Sequence, residues 1–237
     1  MNRTDAQIIA DNAARVREQI ATAADSAGRS GDEILLVAVT KYLPTERIAD
    51  VIEAGLETLG ESRPQQLWDK YDRFEQADIR WHMIGHLQKN KIRKTLPRIS
   101  LLESVDSSSM LDAVQRIAAE ESLQQDVLIE VNISGDKTKY GFPPEEVEAS
   151  ILHAAESCPN VAIKGLMGMA AREGGLDIAR RNFESLRELR DRLIDVVPSN
   201  VDLGHLSMGM SRDFEEAVRS GATMVRIGRA LYEGVRI

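Results

Sequence analysis

The chain has 237 residues, of which 43% are hydrophobic and 29% charged, a composition typical of a globular protein with one sizeable core. Its formal net charge of −8 and its pI of about 5.2 argue against broad electrostatic binding to nucleic acid or to an anionic membrane. The single cysteine, Cys158, excludes an intramolecular disulfide and a cluster of thiolate metal ligands, and it fits a reducing compartment.

The N-terminal segment mixes acidic with basic residues and places Ile9, Ala13, Val16 and Ile20 at helical spacing. This pattern predicts an amphipathic helix rather than a signal segment. No stretch approaches the roughly 18 to 20 apolar residues that a membrane span requires. We therefore predict a cytoplasmic protein without a membrane anchor.

Short apolar runs then alternate with helical patterns as far as the C-terminus. We predict eight strands, at 34–40, 58–60, 80–84, 99–103, 126–132, 161–167, 201–206 and 222–227. Repeated strand–helix units with short connections indicate parallel strands, and eight of them predict an α/β fold, a single (β/α)8 TIM barrel with an extra N-terminal helix. A doubly wound open sheet is the alternative. No Pro/Gly/Ser-rich linker divides the chain, so we predict one domain, 1–237.

Lys41 follows directly on the first predicted strand, ILLVAVT, and so places a primary amine at the rim of the predicted core. Val37 and Val39 share its strand parity, which lets the amine reach back over the barrel mouth. A desolvated amine has a lowered pKa and is a nucleophile toward aldehydes. The alternative is a lysine that extends from the strand end into solvent.

Arg226 shares strand parity with Met224 and Gly228 in the last predicted strand, so it places a guanidinium inside a largely apolar barrel. A buried guanidinium needs a partner. One candidate is Glu130, in the strand DVLIEVN, as an internal ion pair. The other is an acceptor atom on a bound cofactor, such as the ring nitrogen of pyridoxal phosphate.

The loops after the last two strands of a barrel often hold phosphate together with a helix N-terminus. Ser211 precedes a predicted helix that starts at Arg212, and Gly228 with Arg229 opens the predicted last helix. Backbone N–H groups at such turns can bind an anion. The alternatives are a plain N-cap for Ser211 and a tight strand-to-helix turn for Gly228.

Ser62, with Gln65 three residues later, is typical of a capping box that opens the helix RPQQLWDKYDRF, and it also lies at a strand exit. The four histidines do not form a predicted metal-ligand cluster: His82, His86, His153 and His205. No glycine-rich nucleotide-binding motif is present. We therefore predict no metal centre.

Together, several segments resemble the pyridoxal phosphate homeostasis protein family, the single-domain relatives of the alanine racemase N-terminal barrel. The resemblance runs in family order over nearly the whole chain. The segments that carry it are LVAVTK (36–41), LGESR (59–63), WHMIGHLQKNK (81–91), SVDS (104–107), EVNISGDKTKYGF (130–142), GLMGMA (165–170) and LSMGMSRDFEEAVRSGATMVRIGRALYEG (206–234).

This resemblance implies a barrel like that of fold type III pyridoxal phosphate (PLP) proteins, with PLP bound as an internal aldimine to Lys41. It implies that Arg226 lies at the pyridine nitrogen and that Ser211, Gly228 and the Arg229 backbone lie at the phosphate. A permanently protonated arginine cannot readily hand a proton to the pyridine, so the ring stays neutral and is a weaker electron sink.

Two positions depart from the family pattern. Ser62 stands where the family commonly has asparagine, and Arg229 stands where a small hydroxyl residue is frequent. The two changes alter the side-chain groups that these positions offer, whereas a backbone contact at residue 229 is compatible with the change.

Alanine racemases carry a second, β-rich domain and use a catalytic tyrosine from a partner subunit, whereas we expect neither in a chain that ends at Ile237. The resemblance implies a monomeric carrier in intracellular PLP homeostasis and delivery, with no established turnover and with PLP-requiring apo-enzymes as recipients. A PLP-dependent amino-acid racemase-like enzyme is the alternative. A Schiff-base aldolase acting on sugar phosphates is a third, but it leaves Arg226 unexplained.

Overall fold

Eight parallel strands close into a barrel in chain order in the computed structural model, which describes residues 3–136, 138–199 and 201–236. The predicted barrel is confirmed, and the open-sheet alternative is wrong. The strands are β1 Leu35–Val39, β2 Thr58–Glu61, β3 Arg80–Met83, β4 Leu101–Val105, β5 Gln125–Val131, β6 Val161–Gly168, β7 His205–Ser207 and β8 Met224–Ile227.

The helices form a layer around the barrel. None of the helices in the described ranges is long and apolar enough to cross a membrane. The α-helices are α1 Asp5–Ser26, α2 Ile48–Glu53, α3 Pro64–Arg73, α4 Ile92–Thr95, α5 Ser108–Glu120, α6 Val147–Ser157, α7 Gly175–Ile194 and α8 Phe214–Arg219.

The extra N-terminal helix α1 is confirmed. Thr4 caps it in a reciprocal capping box with Gln7, which satisfies donors of the first turn. Its apolar stripe is buried and packs toward α2 and α8: Ile9, Ala13, Val16 and Ile20. Each buried isoleucine or valine contributes roughly 1.5–3 kcal/mol relative to an exposed side chain, and this fixes α1 to the barrel.

The barrel interior contains an apolar layer. Its buried side chains pack as a separate cluster with the partly buried Leu35: Leu101, Leu128, Met167 and Met224. Two residues further along β4, β5 and β8 stand Glu103, Glu130 and Arg226, all buried. Because residues i and i+2 of a strand share a face, these charged side chains form a polar layer nearer the strand exits.

The fourth strand, predicted at 99–103, begins at Leu101 and ends at Val105. Leu96–Arg98 forms a 3-10 turn immediately before it, and this turn delays the strand. Glu103 is fully buried in mid-strand, a position where an apolar residue is usual. The apolar pattern therefore placed the strand two residues too early.

The seventh strand, predicted at 201–206, contains only His205–Ser207. The backbone N–H of Gly204 donates to the Asp202 Oδ1 at 2.8 Å. This local hydrogen bond competes with strand pairing, as is typical of aspartate at turns. The apolar pattern therefore found the strand but placed its start four residues too early.

Gly165 lies at an irregularity of β6, where the pairing with β5 shifts register. Its φ is +150°, and a Cβ at this position would lie 1.9 Å from the His205 carbonyl oxygen on the neighbouring strand. Gly165→Ala is therefore expected to lower the free energy of unfolding by about 2–3 kcal/mol, because two barrel strands must separate. Chemical denaturation measures this loss.

Gly28→Ala is the matched control. Gly28 also has a positive φ, +69°, but nothing lies within 4 Å of its would-be Cβ. Gly28→Ala should lower the free energy of unfolding by only about 1 kcal/mol, which is the cost of placing alanine in the left-handed region. Equal losses in the two variants would show that the β6–β7 approach does not require glycine.

Candidate functional site

Lys41 lies directly beyond β1, two residues after Val39, at the carboxyl end of the barrel strands. Its side chain is partly buried, and its Nζ lies 5.1 Å from the ring centroid of the exposed Tyr42. The registers of β1 and β8 pair Val37 with Arg226. Arg226 therefore shares the inward face of Val37, and Lys41 lies in the turn that follows the neighbouring strand β1.

Arg226 is 4% exposed and is held from three other strands. Its Nη1 donates to the Ser207 Oγ at 2.5 Å, and its Nη2 donates to the Gly168 carbonyl at 3.1 Å. The Glu103 Oε2 accepts from the Ser207 Oγ at 2.6 Å and lies 3.8 Å from the Arg226 Nη1. The guanidinium has five N–H donors, and two of them account for these contacts among the described residues.

Glu103 is the centre of this buried network. Its Oε1 lies 2.7 Å from the Nδ1 of His82, which is 4% exposed on β3. Burial raises the pKa of the Glu103 carboxyl, but the hydrogen bond and charge of His82, together with the charge of Arg226, hold that pKa below its ordinary value. Glu103 is therefore an ionised internal partner for two basic side chains.

Sequence reasoning missed Glu103, Ser207 and His82 as members of the site. Because the fourth strand was placed two residues early, Glu103 stood at a strand end rather than in mid-strand. An acid flanked by apolar residues within one strand was the available signal for Glu103. Ser207 carries no such signal, because a serine at the end of a strand is common.

Glu130 is not the ion-pair partner of Arg226, so that alternative is corrected in favour of Glu103. Glu130 is 3% exposed and faces the interior two residues beyond Leu128 on β5. Burial, together with the negative charges of Asp106 and Glu103, raises its pKa to about 7, against the opposing effect of Arg226. This carboxyl can hold or release a proton near neutral pH.

Glu130→Gln is expected to stabilise the unloaded protein at about pH 8 by up to about 3 kcal/mol, and the gain should vanish near pH 4.5. A carboxyl with a raised folded pKa destabilises the fold progressively as the pH rises from its ordinary value of 4.5 to about 7, since the unfolded chain ionises first. The amide does not ionise. Urea denaturation at several pH values measures the difference.

Glu145, an exposed carboxylate in the turn Pro144–Glu146, supplies the control. Glu145→Gln should change the free energy of unfolding by less than about 0.5 kcal/mol at both pH values. A gain from Glu130→Gln that stays constant with pH would mean that burial of an ionisable group is not its cause.

Ser211 is not an N-cap. Helix α8 begins at Phe214, and the Asp213 Oδ1 accepts from the Met210 backbone N–H at 2.7 Å. The Ser211 Oγ instead accepts from the Ala230 N–H at 3.4 Å. The loops after β7 and β8 therefore meet at this serine.

The prediction that Gly228 and Arg229 open a helix is wrong. Both residues lie in successive turns. The Gly228 carbonyl accepts from the Leu231 N–H at 2.9 Å, and the Arg229 carbonyl accepts from the Tyr232 N–H at 3.3 Å. A Cβ at position 228 would lie 3.4 Å from the Val39 Cβ, so this turn lies beside the end of β1. The Arg229 side chain is exposed.

Ser62 does not form the predicted capping box. Helix α3 begins at Pro64, and the residue before a proline is driven to extended geometry, so Arg63 takes the N-cap position without a side-chain bond. The Ser62 backbone N–H donates to the Glu61 Oε2 at 3.2 Å. Ser62 also lines a cavity of about 300 Å³ with Arg63 and His86, at the exits of β2 and β3.

A three-residue cluster of potential ligand side chains lies in the helical layer within the described ranges. Ligand atoms of Asp112, His153 and Cys158 lie within 4.8 Å of one another. The Asp112 Oδ1 and the His153 Nε2 are joined by a 2.8 Å hydrogen bond. Burial, and then the Asp112 charge, raises the pKa of the Cys158 thiol, which disfavours the thiolate that metals bind.

The residues at the barrel mouth fit the cofactor that the sequence resemblance implies. Lys41 offers an amine at the end of β1. Arg226 offers a buried guanidinium with N–H donors beyond those used by Ser207 and Gly168. Ser211 brings the β7 loop to the turn after β8, where its Oγ accepts from the Ala230 N–H and can donate its own proton to an anion.

A family model described as "Alanine racemase, N-terminal domain" matches residues 12–235. The closed barrel and the lysine beyond β1 agree with this match, and the protein is of the alanine racemase N-terminal barrel class. A pyridoxal phosphate homeostasis protein from Aquifex aeolicus (strain VF5) is 40% identical over 218 residues, which are 92% of this chain and 94% of the relative. The chain belongs to the pyridoxal phosphate homeostasis protein family.

Two further relatives agree. The pyridoxal phosphate homeostasis protein of Escherichia coli (strain K12) is 34% identical over 227 residues, 94% of this chain and 95% of the relative. The structure of PipY of Synechococcus elongatus PCC7942, with PLP bound, matches with a TM-score of 0.84 at 30% identity, over 94% of this chain and 99% of that chain. The resemblance drawn from the sequence is confirmed.

Proposed function

We propose that this protein binds PLP covalently through Lys41 and acts in cofactor homeostasis as a carrier without turnover of its own. The observation that carries the proposal is the buried Arg226. A guanidinium held rigidly by Ser207 and Gly168 still has N–H donors for an acceptor on a ligand at the barrel mouth. The PLP-bound structure of PipY supports the same assignment.

Each part of the cofactor has a matching group in the proposed site. The Lys41 Nζ attacks the aldehyde carbon, a C=N bond forms, and one water molecule leaves. Arg226 donates to the pyridine nitrogen. Ser211 and the backbone of Gly228 and Arg229 bind the phosphate, while Ser62 at the β2 exit contacts the cofactor from the other side of the mouth.

Arg226 also favours a carrier over a catalyst. Its guanidinium remains charged and donates rather than transfers a proton, so the pyridine ring stays neutral and withdraws electrons weakly. Glu103 strengthens this arrangement, because it is an ionised partner that keeps the guanidinium charged. We further propose a single-domain, cytoplasmic monomer that delivers the cofactor to PLP-requiring apo-enzymes.

Mixing the purified protein with PLP and recording its visible absorbance tests the binding. A new visible band is expected, and borohydride should trap the adduct on Lys41, which peptide mapping by mass spectrometry identifies. A reducible adduct on a different lysine would overturn the assignment.

Incubation of the loaded protein with alanine in deuterated water tests the absence of turnover. We expect no more than stoichiometric exchange of the α-proton. Steady exchange over many turnovers that depends on Lys41 would establish the racemase-like alternative instead.

A further inference from the structure

A second lysine, Lys70, is buried behind the turn that carries Lys41. Lys70 lies on α3 and is 1% exposed. Its Nζ donates to the Thr40 carbonyl oxygen at 2.8 Å and to the Glu61 Oε1. A buried ammonium is unfavourable unless it is paired and hydrogen-bonded, so these contacts define what Lys70 does in the fold.

Thr40 is fixed through its backbone. Its N–H donates to the Gly60 carbonyl at 3.0 Å, and its carbonyl oxygen accepts from the Leu43 N–H at 2.8 Å in addition to Lys70. Lys41 is thus the second residue of a turn from Thr40 to Leu43 that is closed by a hydrogen bond.

Glu61 completes the arrangement from the end of β2, where it is fully buried. Its Oε1 accepts from the Thr40 Oγ1 at 2.8 Å and from Lys70, and its Oε2 accepts from the Ser62 N–H at 3.2 Å. The carboxylate thereby neutralises the Lys70 ammonium beside the Thr40 carbonyl.

We infer that Lys70 is a positioning residue for Lys41. The Thr40 carbonyl and the Lys41 N–H belong to one planar peptide unit, so fixing that oxygen fixes the direction of the bond to the Lys41 Cα. Lys70 therefore fixes the point on the backbone from which the Lys41 side chain extends. The inference rests on the proposed function, because it concerns the amine that forms the adduct.

If Lys70 and Glu61 formed only a structural ion pair, replacing both residues would leave the rate of adduct formation at Lys41 unchanged. Removing one partner of a buried pair leaves an uncompensated charge and destabilises the fold, whereas replacing both partners leaves no such charge. Lys70→Met alone therefore confounds stability with positioning. Combined with Glu61→Gln, it removes both charges and still deprives the Thr40 carbonyl of Lys70.

The experiment measures the rate of adduct formation with PLP in stopped flow, per folded molecule, for the wild type and for the Glu61→Gln and Lys70→Met double variant. A parallel measurement on the unloaded protein follows methylation of Lys41 by formaldehyde and borohydride, using mass spectrometry. We expect the melting temperature of the double variant to be near that of the wild type, with both rates roughly tenfold lower.

Two single variants complete the set. Glu61→Gln alone leaves Lys70 bonded to Thr40, so its rate should remain within about twofold of the wild type, which gives a test that does not depend on the double variant folding. Lys164→Met is the control, because it removes a partly exposed lysine whose nearest carboxylate, on Asp202, lies 4.0 Å away. Its rate should not change.

A double variant that forms the adduct at the wild-type rate would refute the positioning role and leave a structural ion pair. A folded Glu61→Gln variant that forms the adduct tenfold more slowly would also refute the positioning role. Lys70 remains bonded to Thr40 in that variant, so the slower reaction would have another cause. Failure of the wild type itself to form an adduct on Lys41 would instead overturn the proposed function.

Discussion

Lys41→Ala is expected to abolish the borohydride-trapped adduct with PLP, so that the reduced protein has the mass of the unmodified chain. The covalent bond requires the amine, whereas the contacts from Arg226 and the loops after β7 and β8 do not. Equilibrium dialysis should therefore still detect weaker, non-covalent binding. Absorbance, reduction and mass spectrometry on the same samples measure the covalent loss.

Lys89→Ala is the control for this variant, because Lys89 is an exposed lysine in the turn after β3. It should form the adduct as the wild type does. Lys139 is the amine to examine if the adduct persists in Lys41→Ala, since burial lowers its pKa and its Nζ donates to the Ala170 carbonyl at 2.7 Å. A stoichiometric adduct there would refute Lys41 as the attachment point.

Glu103→Ala is expected to lower the free energy of unfolding by about 3–5 kcal/mol, because it leaves Arg226 buried without its carboxylate and removes the partner of His82. It should also weaken PLP binding, since Arg226 loses the group that orients Ser207 beneath it. Guanidinium denaturation measures the first effect, and dialysis with PLP measures the second.

The comparison for this variant is Glu120→Ala. Glu120 also pairs with arginines, Arg93 and Arg116, but on the exposed surface. Solvent screens surface pairs, so the loss of stability should be far smaller than that of Glu103→Ala. A similarly small loss for Glu103→Ala would mean that solvent or rearrangement compensates the buried charges.

The barrel and its strand order could be predicted because apolar runs and helical stripes recur along the whole chain. The apolar stripe of α7 illustrates this, since its five core-facing residues are all buried: Ala179, Phe183, Leu186, Leu189 and Leu193. The predicted strand boundaries were wrong where a polar residue takes the place of an apolar one inside the barrel, as Glu103 does in β4. Such residues are set by tertiary contacts, which local patterns do not contain.

In the candidate site, the apolar run predicted the place of Lys41 after β1, and strand parity predicted that Arg226 faces the barrel interior. The residues that contact Arg226 could not be predicted in this way. Glu103 rather than Glu130 lies close to Arg226, because the choice depends on side-chain reach across the barrel and not on strand order. The predicted capping roles of Ser62 and Ser211 were wrong, because α3 begins at Pro64 and Asp213 takes the N-cap position of α8.

The apolar layer in the barrel interior determines how a small molecule can enter and leave the candidate site. Leucine and methionine side chains fill the interior beneath Arg226, so no passage runs along the barrel axis. A molecule that enters beside Lys41 must leave by the same opening. Any protein that receives such a molecule directly must therefore approach the face from which the lysine projects, and while it is docked there it blocks the return of a second molecule.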